Sequence, residues 1–387
     1  MSKGEARKPL RILHIILALR PTNGQYNEHC LPLMNDRKIS ICTYFKSEIT
    51  PPSAISLFDG DGTVRGFFRA LRAALAAAEY DIIHVHTPHA GVLLLAALFK
   101  DGLYRKLRPS IIHTIQNSYQ NFAPRHKLMF VPSFPFFERL VFCGQASRES
   151  FPTTLKWLGG KRIHVVQNAV DLERIDKVIQ SAPASQADRF KIVTVGMIKI
   201  KDPLTVLRAF RQSHDHAGDL VFLGEGALRP GVESETEESG LQDRVTLAGM
   251  VERDSVFEHF SRADLFVSAS WGEGLPVAVL EAMACRCPVV LSDIPPHREI
   301  AEGVDFIPLV QPGDVAGFAR EIKKFRDMTP SERAEIGDRC RAIVESQFSL
   351  QAMHTSYKQI YSQMVSPNTD ITLRSLESQT KRVKSAV

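Results

Sequence analysis

With two tryptophans and seven tyrosines in 387 residues, the chain has few rings on which nucleic-acid bases could stack. No RNA- or DNA-binding motif accompanies them, which argues against a nucleic-acid partner. The six cysteines (Cys30, Cys42, Cys143, Cys285, Cys287 and Cys340) are scattered without a Cys-x-x-Cys pair. That spacing argues against a zinc framework or a disulfide-stapled fold, and it fits a reducing compartment. The longest apolar stretch, Ala90 to Phe99, is too short to span a bilayer. Lys3, Arg7, Lys8 and Arg11 before the apolar run Ile12 to Leu19 imitate a secretory signal. His14 interrupts that run, however, and Arg20-Pro21-Thr22-Asn23-Gly24 is no small-residue cleavage site, so a buried first strand is expected there. No internal repeat of roughly 20 to 50 residues is present.

What remains is an ordinary globular composition, 44% hydrophobic, long enough for two or three domains. Charge is divided unevenly: residues 1–185 hold 24 Lys and Arg against 14 Asp and Glu, and the remainder holds 24 against 29. A basic first half suggests an anionic surface as partner, and an anionic membrane leaflet carrying a lipid-linked acceptor is the preferred reading.

Strand and helix patterns alternate throughout, which predicts an α/β protein with helices wrapped around parallel sheets. In the first half, strands are expected at 11–19, 39–45, 81–86, 110–116, 139–143 and 162–167. A helix from Thr63 to Glu79 is the clearest between them. The polar, proline-bearing stretch Gln180 to Ala187 reads as an interdomain linker. A second series then follows, with strands at 190–196 and near 219–224, 244–248, 264–269, 287–292 and 305–309. Two such units make a pair of Rossmann-like domains, at 1–185 and 186–349, with a ligand cleft between them. Helices at 330–346 and 350–364 close the folded part, and residues 366–387 read as a polar, mobile tail.

The most informative segment runs from Ser270 to Cys285. Ala263 to Ala269 reads as a buried strand, Gly272 and Gly274 as a tight turn, and Pro276 as the first residue of a helix. Free N–H groups at such a helix start attract phosphate. Glu273 in the loop and Glu281 in the helix can then reach opposite ends of one ligand. The segment resembles the Glu-x7-Glu signature of the retaining glycosyltransferases of family 4, which have the two-domain GT-B fold. The resemblance implies that Glu273 contacts the donor hexose and Glu281 the ribose, with Gly274, Leu275 and Pro276 along the donor. It also implies that the last helix, 350–365, crosses back onto the first domain.

Further residues gain meaning from that resemblance. Gly196-Met197-Ile198-Lys199-Ile200-Lys201 opens the second domain where family members carry an Arg after the glycine and a Lys a few residues on. Met197 takes the Arg position, leaving Lys201 as the cation for the leaving diphosphate and Lys199 second to it. Asp202 and Pro203 read as the cap and first residue of the next helix. Gly224 belongs to a glycine turn after the second strand of that domain. On the acceptor or phosphate side stand Asn23 and Gly24 after the first strand, His86 in an alternating His84-x-His86 pair, and Gln116, where many family members have His. Glutamine can hydrogen-bond there but cannot carry a proton charge. Asp59-Gly60-Asp61 imitates a metal-binding pair, but its setting reads as a turn before a capped helix.

The expected activity is transfer of a hexose-type sugar from a nucleotide-diphosphate sugar, UDP- or GDP-linked, to an acceptor hydroxyl with retention. No metal and no cofactor are expected, and the expected place is the cytoplasm, at the inner face of a membrane. Met197 and Gln116 keep open a nucleotide-sugar-binding protein with little turnover. Another GT-B enzyme, such as a sugar-nucleotide epimerase, is the third reading.

Overall fold

A computed structural model describes residues 9–21, 23–181, 189–213 and 218–365. It contains two parallel sheets. The first is built from β1 (Arg11–Ile16), β2 (Lys38–Thr43), β3 (Ser56–Phe58), β4 (Ile82–Val85), β5 (Ile111–Ile115), β6 (Arg139–Phe142) and β7 (Ile163–Val165), in the order β3-β2-β1-β4-β5-β6-β7. The second is built from β8 (Phe190–Val195), β9 (Gly218–Leu223), β10 (Val245–Gly249), β11 (Leu265–Ser268), β12 (Val289–Ser292) and β13 (Leu309–Val310), in the order β10-β9-β8-β11-β12-β13. Central strands such as β4 and β12 are buried along their whole length, as expected for strands covered by helices on both faces.

Strand order reverses between β1 and β4 in the first sheet, and between β8 and β11 in the second. At such a switch point the loops leaving neighbouring strands diverge and open a crevice. The loops after β1, β4, β8 and β11 carry Asn23, His86, Lys201 and Glu273 respectively.

Several expectations shift. The three-residue β3, Ser56-Leu57-Phe58, is an additional strand whose apolar part is only two residues long, too short to stand out in the sequence. The apolar residues Leu17 to Leu19 lie past the end of β1, with the Leu17 and Leu19 carbonyls accepting from Tyr44, Phe45 and Glu48 N–H outside the regular ladder, and the last strand is only Leu309–Val310 rather than 305–309. Gln180 and Ser181, expected in a linker, close the helix Leu172–Ser181, and the rest of that linker and the tail lie outside the described residues. Packing also changes earlier than residue 185. Ile175 of that helix is buried in one apolar cluster with Phe257 and Phe260 of the second unit. The chain passes between the units twice at one place, where Val170 N–H donates to the Phe348 carbonyl (2.9 Å) and Leu350 N–H to that of Val170 (3.2 Å). Helix Leu350–Val365 then lies on the first sheet, burying Met353 and Ile360 against Ile12 and Ile82.

Candidate active site

The glycine loop after β11 is pressed against the first domain. A Cβ on Gly274 would stand 2.4 Å from the Gln116 carbonyl oxygen, so only glycine fits there, and one on Gly272 would stand 2.3 Å from Asn121 Oδ1 and push that side chain aside. The loop backbone is fastened across the cleft. Ser118 Oγ donates to the Glu273 carbonyl (2.6 Å), and Asn168 Nδ2 to that of Leu275 (2.9 Å). Leu275 itself is buried in the core. Pro276 is the N-cap of helix Val277–Ala284 rather than its first residue, and no side chain caps that end. A proline with ψ of 105° cannot yet be helical, which moves the helix start one residue on.

Glu273 projects from this loop into a polar chain. Its Oε1 accepts from Lys201 Nζ (2.6 Å) and from Ser270 Oγ (2.7 Å). Ser292 Oγ holds the Ser270 carbonyl at 2.6 Å, and the buried His297 places Nδ1 2.8 Å from the Ser292 carbonyl. Burial pushes the His297 imidazole down to about 4, against the pull of nearby Glu273, so the ring is neutral at physiological pH. The two residues assigned to hexose and diphosphate are thus ion partners, 72 positions apart in sequence.

Gly196, at φ +87°, turns the chain out of β8 so that a Cβ there would stand 3.3 Å from Lys201 Cγ. Gly224, at φ +92°, packs its own open face on Gly196. The same turn sends Met197 inward, where it is fully buried in the apolar core of the second domain, so this position does not face the cleft. Lys199 is exposed and makes no ion pair among the described residues. Asp202 adopts a left-handed conformation (φ 49°), and its carboxylate accepts from Thr205 Oγ1 (2.8 Å) and Trp271 Nε1 (2.8 Å). It caps helix Pro203–Ser213 and ties that helix to the glycine loop.

Glu281 does not share a partner with Glu273. It is 2% exposed and forms an ion pair with Arg253, whose guanidinium also lies 3.7 Å from Glu28 of the first domain. Burial raises both carboxyls, Glu28 to about 8 and Glu281 to about 7, and Arg253 opposes the rise in each. Two acids and one cation therefore meet in the cleft. Sequence reasoning missed Glu28 and Arg253. The one available signal was local, since Glu28 lies one helical turn beyond Gly24, and a Cβ on Gly24 would stand 3.2 Å from Glu28 Oε1.

The other first-domain residues are largely engaged in structure. Asn23 caps the short helix Gly24–His29 through Tyr26 N–H (3.0 Å) and donates to the Ala18 carbonyl (3.0 Å). His86 is buried against His84, and its Nε2 lies 3.0 Å from His14 Nδ1. Nitrogens of His14, His84 and His86 all lie within 4.8 Å of one another. His84, however, spends both of its nitrogens on Tyr361 OH (2.7 Å) and Thr114 Oγ1 (2.7 Å), which pins helix Leu350–Val365 to the sheet. Burial lowers all three imidazoles. Asp59 accepts from Thr43 Oγ1 and Ser47 Oγ, and Asp61 from Thr63 and Arg69, so both serve the turn before helix Val64–Ala77.

Comparison with known proteins agrees with this geometry. Residues 189–327 match the family model described as Glycosyl transferases group 1, and residues 45–174 match Glycosyltransferase Family 4. The chain is 27% identical over 296 residues to EpsD of Bacillus subtilis, assigned provisionally as a glycosyltransferase, covering 73% of this chain and 76% of that one. It is 23% identical over 316 residues to UDP-Gal:alpha-D-GlcNAc-diphosphoundecaprenol alpha-1,3-galactosyltransferase of Escherichia coli, covering 76% and 79%. Sucrose-phosphate synthase from Thermosynechococcus elongatus superposes with a TM-score of 0.77 at 18% identity, over 93% of this chain and 100% of that one. HepE of Anabaena in complex with UDP and glucose gives 0.70 at 18%, over 91% and 99%. At that identity the solved structures establish the fold, and the two family models carry the assignment across most of the chain. With two parallel sheets, each with one reversal of strand order, and family matches on both halves, the chain belongs to the glycosyltransferases of the group 1 and family 4 type and has the GT-B fold.

Proposed function

We propose that the protein moves a hexose-type sugar from a nucleotide-diphosphate sugar to an acceptor hydroxyl with retention at the anomeric carbon, in the assembly of a polysaccharide or glycolipid. The observation that carries this reading is the Lys201–Glu273 pair beside an uncapped helix start, with Glu281 on the same helix. Donor binding would draw Lys201 and the helix N-terminus onto the diphosphate, leaving the Glu273 carboxylate to accept hexose hydroxyls and Glu281 to accept those of the ribose. The bond from the anomeric carbon to the diphosphate oxygen breaks as the acceptor oxygen attacks from the same side, and the acceptor proton passes to the released phosphate oxygen. Cationic side chains and backbone N–H groups would take the leaving charge without a divalent ion. UDP is the preferred nucleotide, in keeping with the donor named for the Escherichia coli relative and the ligand named with HepE. A lipid-linked acceptor is proposed by analogy with the acceptor named for the Escherichia coli relative, and a site of action on the cytoplasmic side of a membrane is the reading with which six free, buried cysteines are compatible.

A second reading is a nucleotide-sugar binder with slow turnover, favoured by Met197 in that the chain has no Arg at the position where family members carry one. A panel of UDP-, GDP- and ADP-sugars, assayed for released nucleotide with and without lipid-linked glycan acceptors, separates the two. Acceptor-dependent release supports the transferase. Saturable binding without release under any condition would establish the binder.

A further inference from the structure

Helix Pro124–Phe136 is apolar on the side that faces water. Phe130, Ser133 and Phe134 point into the core, whereas Leu128 is 71% and Val131 49% exposed. The neighbouring helix Thr153–Gly159 adds Trp157, 78% exposed, and Leu158. The two helices form one face. A Cβ on Gly159 would stand 3.2 Å from Phe134 Cδ1, and the Arg162 guanidinium donates to the Pro135, Phe137 and Leu158 carbonyls together. Phe99 and Phe136, both partly exposed, extend it through a ring cluster with Tyr104.

The rim of this face is basic. Residues 96–162 contain 11 Lys and Arg against three Asp and Glu. Those acids are already occupied: Asp101 pairs with Arg72, Glu138 with Arg139, and Glu149 accepts from Gln145. Arg125, Lys127, Lys156 and Lys161 make no ion pair among the described residues. Lys127 lies over the Tyr119 ring, and Lys156 donates to the Glu149 carbonyl.

We propose that this face docks on an anionic bilayer surface. An exposed Trp with aliphatic neighbours partitions at the headgroup boundary, and a ring of long cationic side chains reaches lipid phosphates while its stems stay in the apolar layer. A purely apolar protein partner would not call for the unpaired cations, and free cations alone would not call for Leu128 and Trp157. The position has a functional consequence that rests on the proposed transferase activity. Segment 116–121 contacts the glycine loop at Gly272 and Gly274, and the helix starts three residues later. Docking here would bring a lipid-linked hydroxyl beside the donor cleft.

The test is flotation of the full-length protein with vesicles of phosphatidylcholine alone and with roughly 30% phosphatidylglycerol. Wild type should float with the anionic vesicles and lose that binding as salt is raised. The pair Leu128→Ser with Trp157→Ser keeps every charge, and its apparent affinity should fall about tenfold or more. Lys127→Glu with Lys161→Glu should lose selectivity for the anionic vesicles. Unchanged thermal unfolding and nucleotide-diphosphate binding establish that the variants are folded and that the donor site is intact whatever the outcome. Equal flotation of wild type and both variants, or none by wild type, would overturn the proposal. So would a wild-type dimer in sedimentation that Trp157→Ser dissociates, because the occupant would then be a second copy.

Discussion

Replacing Arg253 with Met removes the only cation that touches both Glu28 and Glu281 among the described residues while keeping an unbranched side chain over the Phe257 ring, on which the guanidinium now lies 5.4 Å from the centroid. Breaking a buried ion pair costs about 3–5 kcal/mol when the orphaned charge has no escape. Here the carboxyls can escape by taking up protons. Their folded values, about 8 and about 7, already lie above the unfolded value of 4.5. Groups raised in this way stabilise the fold fully below the unfolded value, and that contribution is lost as pH rises through the folded values. Arg253 lowers both values, so without it both rise further, and each pH unit of such a rise corresponds to about 1.4 kcal/mol. Arg253→Met should therefore destabilise by about 3 kcal/mol at pH 9 and by much less, about 1 kcal/mol, at pH 5.5, where both acids are protonated with or without the arginine. Urea unfolding midpoints of the two proteins at both pH values read this difference, whether or not the two domains unfold together. A midpoint shift that is the same at pH 5.5 and pH 9 would show that Arg253 acts by packing and that the acids are not held by it.

Other changes bear on the donor. Glu281→Ala should raise the donor KM with little change in kcat, because ribose contacts are made equally in ground and transition states, whereas Glu273→Ala should mainly lower kcat; indistinguishable kinetics for both variants and wild type would remove the assignment. Met197→Arg would restore the residue type expected from the family, but the side chain is fully buried with Val206 and Phe222. It should cost about 3 kcal/mol or more in stability and should not tighten the nucleotide, as thermal unfolding and nucleotide titration would read; a stable variant with tighter binding would mean that this loop faces the cleft.

The fold was legible because most strands are short apolar runs separated from the next by a helical pattern; β2 and β3, with no helix between them, and helix Pro124–Phe136, with Pro132 and Pro135 inside it, depart from that pattern. Legibility failed where pairing and burial part company. Leu17 to Leu19 are apolar and partly core without being strand, and Ser56–Phe58 is strand although its apolar part, Leu57 and Phe58, is only two residues long. At the site, Glu273 and Lys201 could be named because one sits in a glycine loop and the other just before the Asp202-Pro203 helix start, and because both positions resemble a family motif. Glu28 and Arg253 could not, since a contact between residues 225 positions apart leaves no local pattern in either segment. Met197 was misplaced for a related reason: the sequence shows a residue after a strand, but the positive φ of Gly196 decides which way it points.

The central claim is that the cleft holds a nucleotide diphosphate through Lys201. Titration calorimetry of UDP into wild type, Lys201→Ala and Lys199→Ala tests it most directly. Lys201→Ala should weaken binding by about 1.5–3 kcal/mol, the range for a hydrogen bond to a charged group, while Lys199→Ala, exposed and unpaired, changes it by less than about 0.5 kcal/mol. Loss of binding in Lys199→Ala with Lys201→Ala unaffected, or no effect of either, would contradict the account.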